Sequence, residues 1–358
     1  MKTDRRGFAG LIAAAIAVLA GAALGVTSSI PAAKAAPQPG ASGYHLKKKI
    51  KIGGEGGWDY LTFDSATRRL FISRGTKVMV VDVDSDKVVG EIPDTPGVHG
   101  IALAPEFNRG FVSNGRSNNV TIFDLKTLAT VGHAAAGQNP DAIIYDPGSK
   151  RVFAMNGRSG DVTAIDAATG NVAGTIPVGG KLEFAAADGK GRVYVNVEDK
   201  SEMAEIDSKK LTVLARWSLA PCEEPSGLAM DTEHRRLFAG CDNKMMAVID
   251  ADSGKVIATP AIGDGVDANG FDPATAFAFA SCGEGVLSVA HEDAPDKFTV
   301  VENVPTQRGA RTMTLDPKTH EVYLVTADFG PRPEPTKDNP RPRPPMLPDS
   351  FTILVFTR

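Results

Sequence analysis

The sequence predicts an all-β fold, a seven-bladed β-propeller, because one short segment recurs seven times along the chain. In each copy a short apolar run ends at an Asp (Ala104 in the second copy), and an aromatic residue opens the next run six or seven residues later. These aromatic residues follow one another at intervals of 40 to 44 residues and are Phe71, Phe111, Phe153, Tyr194, Phe238, Phe279 and Tyr323. A repeat of about 40–45 residues that carries four short strands is typical of one propeller blade.

The first copy illustrates how each repeat divides into four strands. Residues 60–63 are predicted as the innermost strand, 70–73 as the second, 78–83 as the third and 87–92 as the outermost. The runs are rich in Val, Ile and aromatic residues, which suit a half-buried antiparallel sheet. Asp, Ser, Thr and Gly separate the runs and favour turns.

The last copy is incomplete, and this predicts how the ring closes. It offers three strands, at 312–315, 321–326 and 351–356, and the chain then ends. A strand near the N-terminus, 45–52, has no blade of its own. We expect this N-terminal strand to complete the last blade, because pairing the two removes an open sheet edge.

The first 35 residues differ in composition and are predicted to be an export signal. Basic residues, among them Arg5 and Arg6, precede an Ala- and Gly-rich apolar stretch and a small-x-small cleavage site at 33–35. The Arg pair resembles the twin-arginine export motif, and an ordinary secretory peptide is the alternative. The predicted organisation is therefore a signal peptide at 1–35 and a single propeller domain at 36–358, located in the periplasm or secreted.

The charge of the chain bears on its partners. The formal charge is −4, and because the first 35 residues carry a formal +3, the remainder carries −7. An acidic surface repels phosphate backbones, so we expect no nucleic-acid partner. We also expect a monomer that is not embedded in a membrane.

Three cysteines follow the leader, and none has the spacing of a zinc site. Cys222 and Cys241 fall on loops at the same face of one blade, so we predict a disulfide between them. Cys282 falls in the next blade, where blade divergence places it too far away for a bridge.

Elements of the form VxxID-x-x-[ST]-G-K-V recur at 78–88, 162–172 and 246–256. On these motifs the chain resembles the YncE-like family of seven-bladed propellers with YVTN-type repeats, over nearly all of the sequence after the leader. The resemblance implies export and a propeller fold, and this family hosts binding proteins more often than well-defined enzymes. The motifs specify blades and carry no chemistry of their own.

Polar side chains recur at the start of the innermost strands, where a propeller opens its central channel. Five residues before the Asp position, the seven copies have Asp59, His99, Asp141, Glu183, Ser226, Asp267 and Arg311. Six of the seven residues in this ring of side chains are ionisable. Carboxylates and a histidine on one axis suit a divalent metal ion or a ligand amine, and the alternative is that strand starts are simply exposed and polar.

Neighbouring loops add candidates at the same face. Trp58 follows the glycine-rich run 53–57, predicted to be a flexible loop, and either stacks on a ligand or packs between blades. Glu224 and Arg308 lie on the entry loops of the fifth and seventh blades. The proline-rich insertion 330–348 is either a lid over the channel mouth or a solvated loop.

The sequence therefore predicts a periplasmic binding protein that takes a small molecule, a metal ion or a protein partner at the acidic mouth of its channel. The alternative is a metal-dependent hydrolase or lyase, similar to propeller lactonases, that uses a ring carboxylate or His99 as a general base. A platform for protein partners is a third possibility, since many loops share one rigid face.

Overall fold

Seven four-stranded antiparallel sheets, arranged as a seven-bladed propeller, make up the computed structural model, which describes residues 42–337 and 342–358. The predicted fold class is therefore confirmed. The expected leader, 1–35, and its cleavage site lie outside the described residues. Among the residues that are described, no helix is long and apolar enough to cross a membrane.

Each of the first six blades uses four consecutive strands, which follow one another from the channel outwards. Blades one and two are β2 (Leu61–Asp64), β3 (Arg69–Arg74), β4 (Lys77–Asp82), β5 (Lys87–Ile92), β6 (Val98–Ala104), β7 (Arg109–Asn114), β8 (Asn119–Asp124) and β9 (Thr130–Ala135). Blades three and four are β10 (Pro140–Asp146), β11 (Arg151–Asn156), β12 (Asp161–Asp166), β13 (Val172–Pro177), β14 (Leu182–Ala187), β15 (Arg192–Val197), β16 (Glu202–Asp207) and β17 (Thr212–Ser218). Blades five and six are β18 (Pro225–Asp231), β19 (Arg236–Cys241), β20 (Met245–Asp250), β21 (Val256–Ala258), β22 (Val266–Asp272), β23 (Phe277–Cys282), β24 (Val286–Ala294) and β25 (Lys297–Pro305). Two short 3-10 helices interrupt the loops, at Pro105–Phe107 and Glu198–Lys200.

Blade seven closes the ring in the predicted way. Its inner strands are β26 (Met313–Asp316), β27 (Glu321–Thr326) and β28 (Thr352–Thr357), and the N-terminal β1 (His45–Lys51) is its outermost strand. β1 pairs antiparallel with β28 along its whole length. The two ends of the propeller therefore hold each other, and neither leaves an open inner edge.

The recurring aromatic residues form the packing between blades. All seven lie at most 1% exposed, on the second strand of each blade. Blades one and seven illustrate the contact, since Leu70, Ile72 and Val81 of one pack with Tyr323 and Val325 of the other. Burial between blades thus explains why an aromatic residue recurs at this position of each repeat.

The recurring Asp that ends each innermost strand holds the following turn. Asp146, for example, accepts backbone N–H groups of Gly148 (3.0 Å) and Ser149 (3.1 Å). Asp188 and Asp231 accept the N–H groups of their own turns in the same way. These carboxylates lie at or just after the last residues of the innermost strands. They are therefore at the opposite end of the channel from the ring of polar side chains at which these strands begin.

Candidate functional site

Five of the seven innermost strands carry a register shift near their start, and this shift orients the ring side chains of those strands. In β6 the shift falls between Val98 and Ile101, around His99, and in β10 between Pro140 and Ile143, around Asp141. The same irregularity surrounds Glu183 in β14. An extra residue in one strand re-aims the side chain beside it, so the shift turns His99, Asp141 and Glu183 away from the ladder. Asp59 precedes β2, which carries no such shift.

Asp59, His99 and Asp141 come from three successive blades and meet at one point. His99 Nδ1 lies 2.6 Å from Asp59 Oδ2 and 3.6 Å from Asp141 Oδ1. One nitrogen or oxygen atom from each of the three residues lies within 4.8 Å of the others, a spacing that suits ligation of a metal ion. All three side chains are partly exposed, so the point remains accessible.

The remaining charged members of the ring have cationic partners. Glu183 Oε1 lies 2.9 Å from Lys181 Nζ, which also contacts Glu198. Asp267 Oδ2 lies 3.1 Å from Arg311 Nε, and Ser226 donates a hydrogen bond of 3.3 Å to Asp267 Oδ1.

The ring carboxyl groups influence one another electrostatically. Burial raises the pKa of Asp141 to about 6, and the charges of Asp59 and Asp267 add to this while His99 opposes it. Burial likewise raises the pKa of Asp267 to about 6, against the effect of Arg311. Burial and the charge of Asp141 raise the pKa of Glu183 to about 8. The three carboxyl groups therefore change charge close to neutral pH.

Burial acts on the pKa of the histidine in the opposite direction. Burial alone would lower the pKa of His99, but the hydrogen bond to Asp59 and the charges of Asp141 and Asp59 raise it above its ordinary value of 6.5. The two neighbouring carboxylates therefore favour the protonated form of His99.

Tyr60 belongs to the site and was missed at the sequence level. Its hydroxyl is buried and has no hydrogen-bond partner among the described residues. Burial and the charges of Asp141, Glu183 and Asp59 raise its pKa well above 10. The available signal was its position, one residue after Asp59 at the start of the first innermost strand.

A cavity of about 870 Å³ opens beside the ring, between the blades that carry Trp58, Arg308 and Arg311. Arg311 joins the cavity to the ring through its ion pair with Asp267. Trp58 lines the cavity and also packs on Phe351, with ring centroids 5.3 Å apart. This position suits both packing between blades and stacking on a ligand in the cavity.

The glycine-rich run before Trp58 differs from the expected flexible loop, because Arg74 anchors it. Arg74 is 2% exposed, lies 3.8 Å over the ring of Phe351, and donates hydrogen bonds to the carbonyls of Gly54 (3.2 Å), Glu55 (3.0 Å) and Gly56. A buried guanidinium has several donors to satisfy, and the backbone carbonyls of this loop accept them.

The proline-rich insertion forms one wall of the same cavity through Arg332, Arg343 and Met346. Its two ends are tied together, since the Gly330 N–H donates to the Pro345 carbonyl and the Leu347 N–H to the Asp328 carbonyl, both at 2.8 Å. The cavity lies beside blades one, six and seven. The lid hypothesis stays a prediction.

Glu224 does not join the ring in the described part of the chain. It is exposed on its entry loop, and its backbone N–H donates to Ser201 Oγ at 3.2 Å. The disulfide expected two residues earlier is present between Cys222 and Cys241, and Cys282 is buried and free.

Three solved structures are similar in fold to this chain at low sequence identity. No family model and no curated protein matches the sequence. Hydrazine synthase of Kuenenia stuttgartiensis is 16% identical, with a TM-score of 0.66 over 76% of this chain and 94% of that chain. The structure of U3-55K is 9% identical with a TM-score of 0.71, over 89% and 99% of the two chains. The RRP9 WD40 repeats give the same identity and TM-score over 90% and 99%. At these identities the likeness establishes the β-propeller fold alone.

Proposed function

We propose that this propeller is an exported binding protein that takes a small cation at the acidic end of its channel. The observation that carries the proposal is the meeting of Asp59, His99 and Asp141 beside two further carboxylates of the ring. Export is proposed from the basic and apolar leader, 1–35. The YVTN-type elements support a place in the YncE-like family.

The charge balance favours a cation over an anion. Glu183 and Asp267 each have a cationic side chain in contact, but His99 is the only cationic group within ion-pair distance of Asp59 or Asp141 in the described residues. Two carboxylates therefore share one histidine in a partly buried site. An entering cation would relieve this repulsion and displace the proton of His99.

The chemistry of the side chains fits two kinds of cation. Two carboxylate oxygens and one imidazole nitrogen are ligands that divalent transition metals accept, and open positions would remain for water. A ring of carboxylates also suits an organic ammonium group, and the buried hydroxyl of Tyr60 offers a further polar contact to either.

A thermal-shift screen of divalent metals and small amines, on chelator-treated protein at pH 8, tests this proposal. A bound cation stabilises the native state, so the melting temperature of the wild type should rise with cation concentration. Asp141→Asn should reduce that rise, because the ring then contributes less to cation binding. Glu91→Gln is the matched control, because it removes an exposed carboxylate on the outermost strand of blade one, paired with Lys77. If no cation in the screen stabilises the wild type, or if Asp141→Asn responds like the control, the proposal is wrong.

One observation favours an enzyme as the second candidate. Asp59 Oδ2 accepts a hydrogen bond from His99 Nδ1 and so orients the imidazole, as a carboxylate orients a general base in many hydrolases. Metal-dependent turnover of lactones or esters that is lost in His99→Gln would support this candidate. Cation binding without turnover would favour the binding protein.

A further inference from the structure

A second group of metal-ligating side chains lies between blades five and six. It consists of Asp231, His234 and Glu292, and one ligand atom of each lies within 4.8 Å of the others. His234 Nδ1 is 2.7 Å from Asp231 Oδ2 and 3.6 Å from Glu292 Oε1. The cluster lies at the other end of the channel from the ring, since Ser226 is the second residue of β18 and Asp231 is its last, roughly 16 Å along the strand.

Glu292 is the unusual member of this group. Its side chain is 4% exposed, and neither carboxylate oxygen has a hydrogen-bond partner among the described residues. A buried carboxylate without partners is costly, and native structures rarely keep one unless something neutralises it.

Five other blades have no carboxylate at the position of Glu292. The Glu292 N–H donates to the carbonyl of Ala276, in the turn that follows the innermost strand of the same blade. The residues that make the same backbone hydrogen bond in blades one to five are Val83, Leu125, Ala167, Ser208 and Ala251. None of those five is charged, so Glu292 is a departure from the blade pattern.

The residue that Glu292 faces makes a carboxylate at this position more unusual. In the corresponding place between blades three and four, Ser208 donates a hydrogen bond of 2.6 Å to Asp146. Between blades five and six the serine is replaced by Glu292, which faces the carboxylate of Asp231. Asp231 is 2% exposed and already accepts the N–H groups of Glu233 and His234. Two buried carboxylates with oxygen atoms within 4.8 Å of each other require a cation or a shared proton between them, and a protonated His234 supplies only one positive charge.

We propose that Asp231, His234 and Glu292 form a binding site for a divalent transition-metal ion, separate from the ring at the channel mouth. Two carboxylates and an imidazole are ligands that Zn²⁺ and Mn²⁺ accept. The 3.6 Å separation of His234 Nδ1 from Glu292 Oε1 already suits two ligands of one metal ion. The 2.7 Å contact to Asp231 must lengthen by roughly 0.6 Å, given metal–ligand bonds of about 2.1 Å.

The surroundings leave room for this movement and for water ligands. His234 is half exposed at the rim of a cavity of about 230 Å³, which is also lined by Asp231 and Glu292. The nearby Arg236 is engaged elsewhere, with Asp250 at 2.7 Å and Asp296 at 3.2 Å. Burial and the charge of Asp231 raise the pKa of Glu292, and the charges of His234 and Arg236 oppose this increase.

Calorimetric titration of the chelator-treated chain with Zn²⁺ at pH 8 tests the site. Glu292→Gln and His234→Asn should each remove one saturable binding event or weaken it at least tenfold, because loss of a direct ligand costs no less than loss of an outer partner, about 10–100-fold. Glu233→Gln is the matched control, since it removes an exposed carboxylate from the rim of the same cavity. His99→Gln, at the channel mouth, should also leave this event intact, so failure of the ring proposal does not decide this one.

Paramagnetic broadening by Mn²⁺ provides the second measurement and requires no substitution. The ring resonances of His234 should broaden at substoichiometric Mn²⁺. The proposal is overturned if these resonances stay sharp, or if Glu292→Gln binds Zn²⁺ like the control. It is also overturned if Glu292→Gln stabilises the chain while the wild type binds no metal, since the two carboxyl groups then share a proton.

Discussion

Replacing Asp141 by Asn should change stability in a way that depends strongly on pH. Burial raises the pKa of Asp141 from 3.8 to about 6 in the folded protein, so the native state holds this proton more tightly than the unfolded chain does. The resulting stabilisation is fully present below about pH 4 and is lost as the pH rises through about 6. Above that pH the native state carries a buried charge that the unfolded chain keeps in water.

The magnitude follows from the size of the shift. About two pKa units, at about 1.4 kcal/mol each, correspond to about 3 kcal/mol between pH 4 and pH 8. Asn has no charge to bury, so Asp141→Asn should be more favourable at pH 8 than at pH 4 by about this amount. Because the same substitution is compared at two pH values, any fixed cost of the amide cancels.

Denaturant unfolding of both proteins at pH 4 and pH 8, with a chelator present, measures this difference. Glu91→Gln serves as the control and should show no such change between the two pH values. An effect of Asp141→Asn that is equal at both pH values, or larger at pH 4, would refute the electrostatic account of the ring.

Three further predictions concern parts of the chain outside the ring. Replacing Cys222 and Cys241 together by Ala should lower the free energy of unfolding by about 3 kcal/mol, because the bridge closes a loop of about 20 residues; the same change at the free cysteine is the control, and equal stability of the two variants would contradict it. Deleting 331–347 should leave the melting temperature nearly unchanged but alter ligand affinity or off-rate, measured by calorimetry and stopped flow. A deletion without effect on binding would reduce the insertion to a tether, and one that unfolds blade seven would make it structural. Changing both Arg5 and Arg6 to Lys should block export, followed by fractionation, and unchanged export would indicate the ordinary secretory route.

The blades were predictable because burial imposes one pattern on every copy. Phe71 and Tyr323 mark the same interior position in blades one and seven, and the Asp of each turn must satisfy backbone N–H groups. The closing strand was predictable from counting, since one blade lacked a strand and one strand lacked a blade. These features depend on local spacing, which a sequence displays directly.

The ring was predictable as a set of positions, but its contacts were not. Counting back from the turn Asp identified Asp59, His99 and Asp141, and the register shifts around His99 and Asp141 are not visible in the residue types. Tyr60 was missed because only the fold shows that its hydroxyl is buried, without a hydrogen-bond partner among the described residues, and is influenced by the ring carboxylates. Lys181 was missed because two charged residues two positions apart on a strand usually form an exposed pair on one face of the sheet. Here Lys181 pairs with Glu183 of the ring.

The anchored glycine run and the Glu292 position were missed for a related reason. Arg74 ends a second strand and would be expected in solvent, and only the folded loop shows which carbonyls it binds. Glu292 stands out only when the backbone hydrogen bonds of the blades are compared.

Calorimetric titration of the wild type at pH 5 and pH 8, with the cation whose stabilising effect Asp141→Asn reduces most, tests the central claim most directly. The cation must compete with protons on Asp141, Asp267 and Glu183, whose pKa values are raised by burial to about 6, about 6 and about 8. Affinity should therefore rise by about tenfold or more from pH 5 to pH 8, and Asp141→Asn should weaken binding and flatten this dependence. Equal affinity at the two pH values, or a variant that binds like the wild type, would contradict a cation site at the acidic ring.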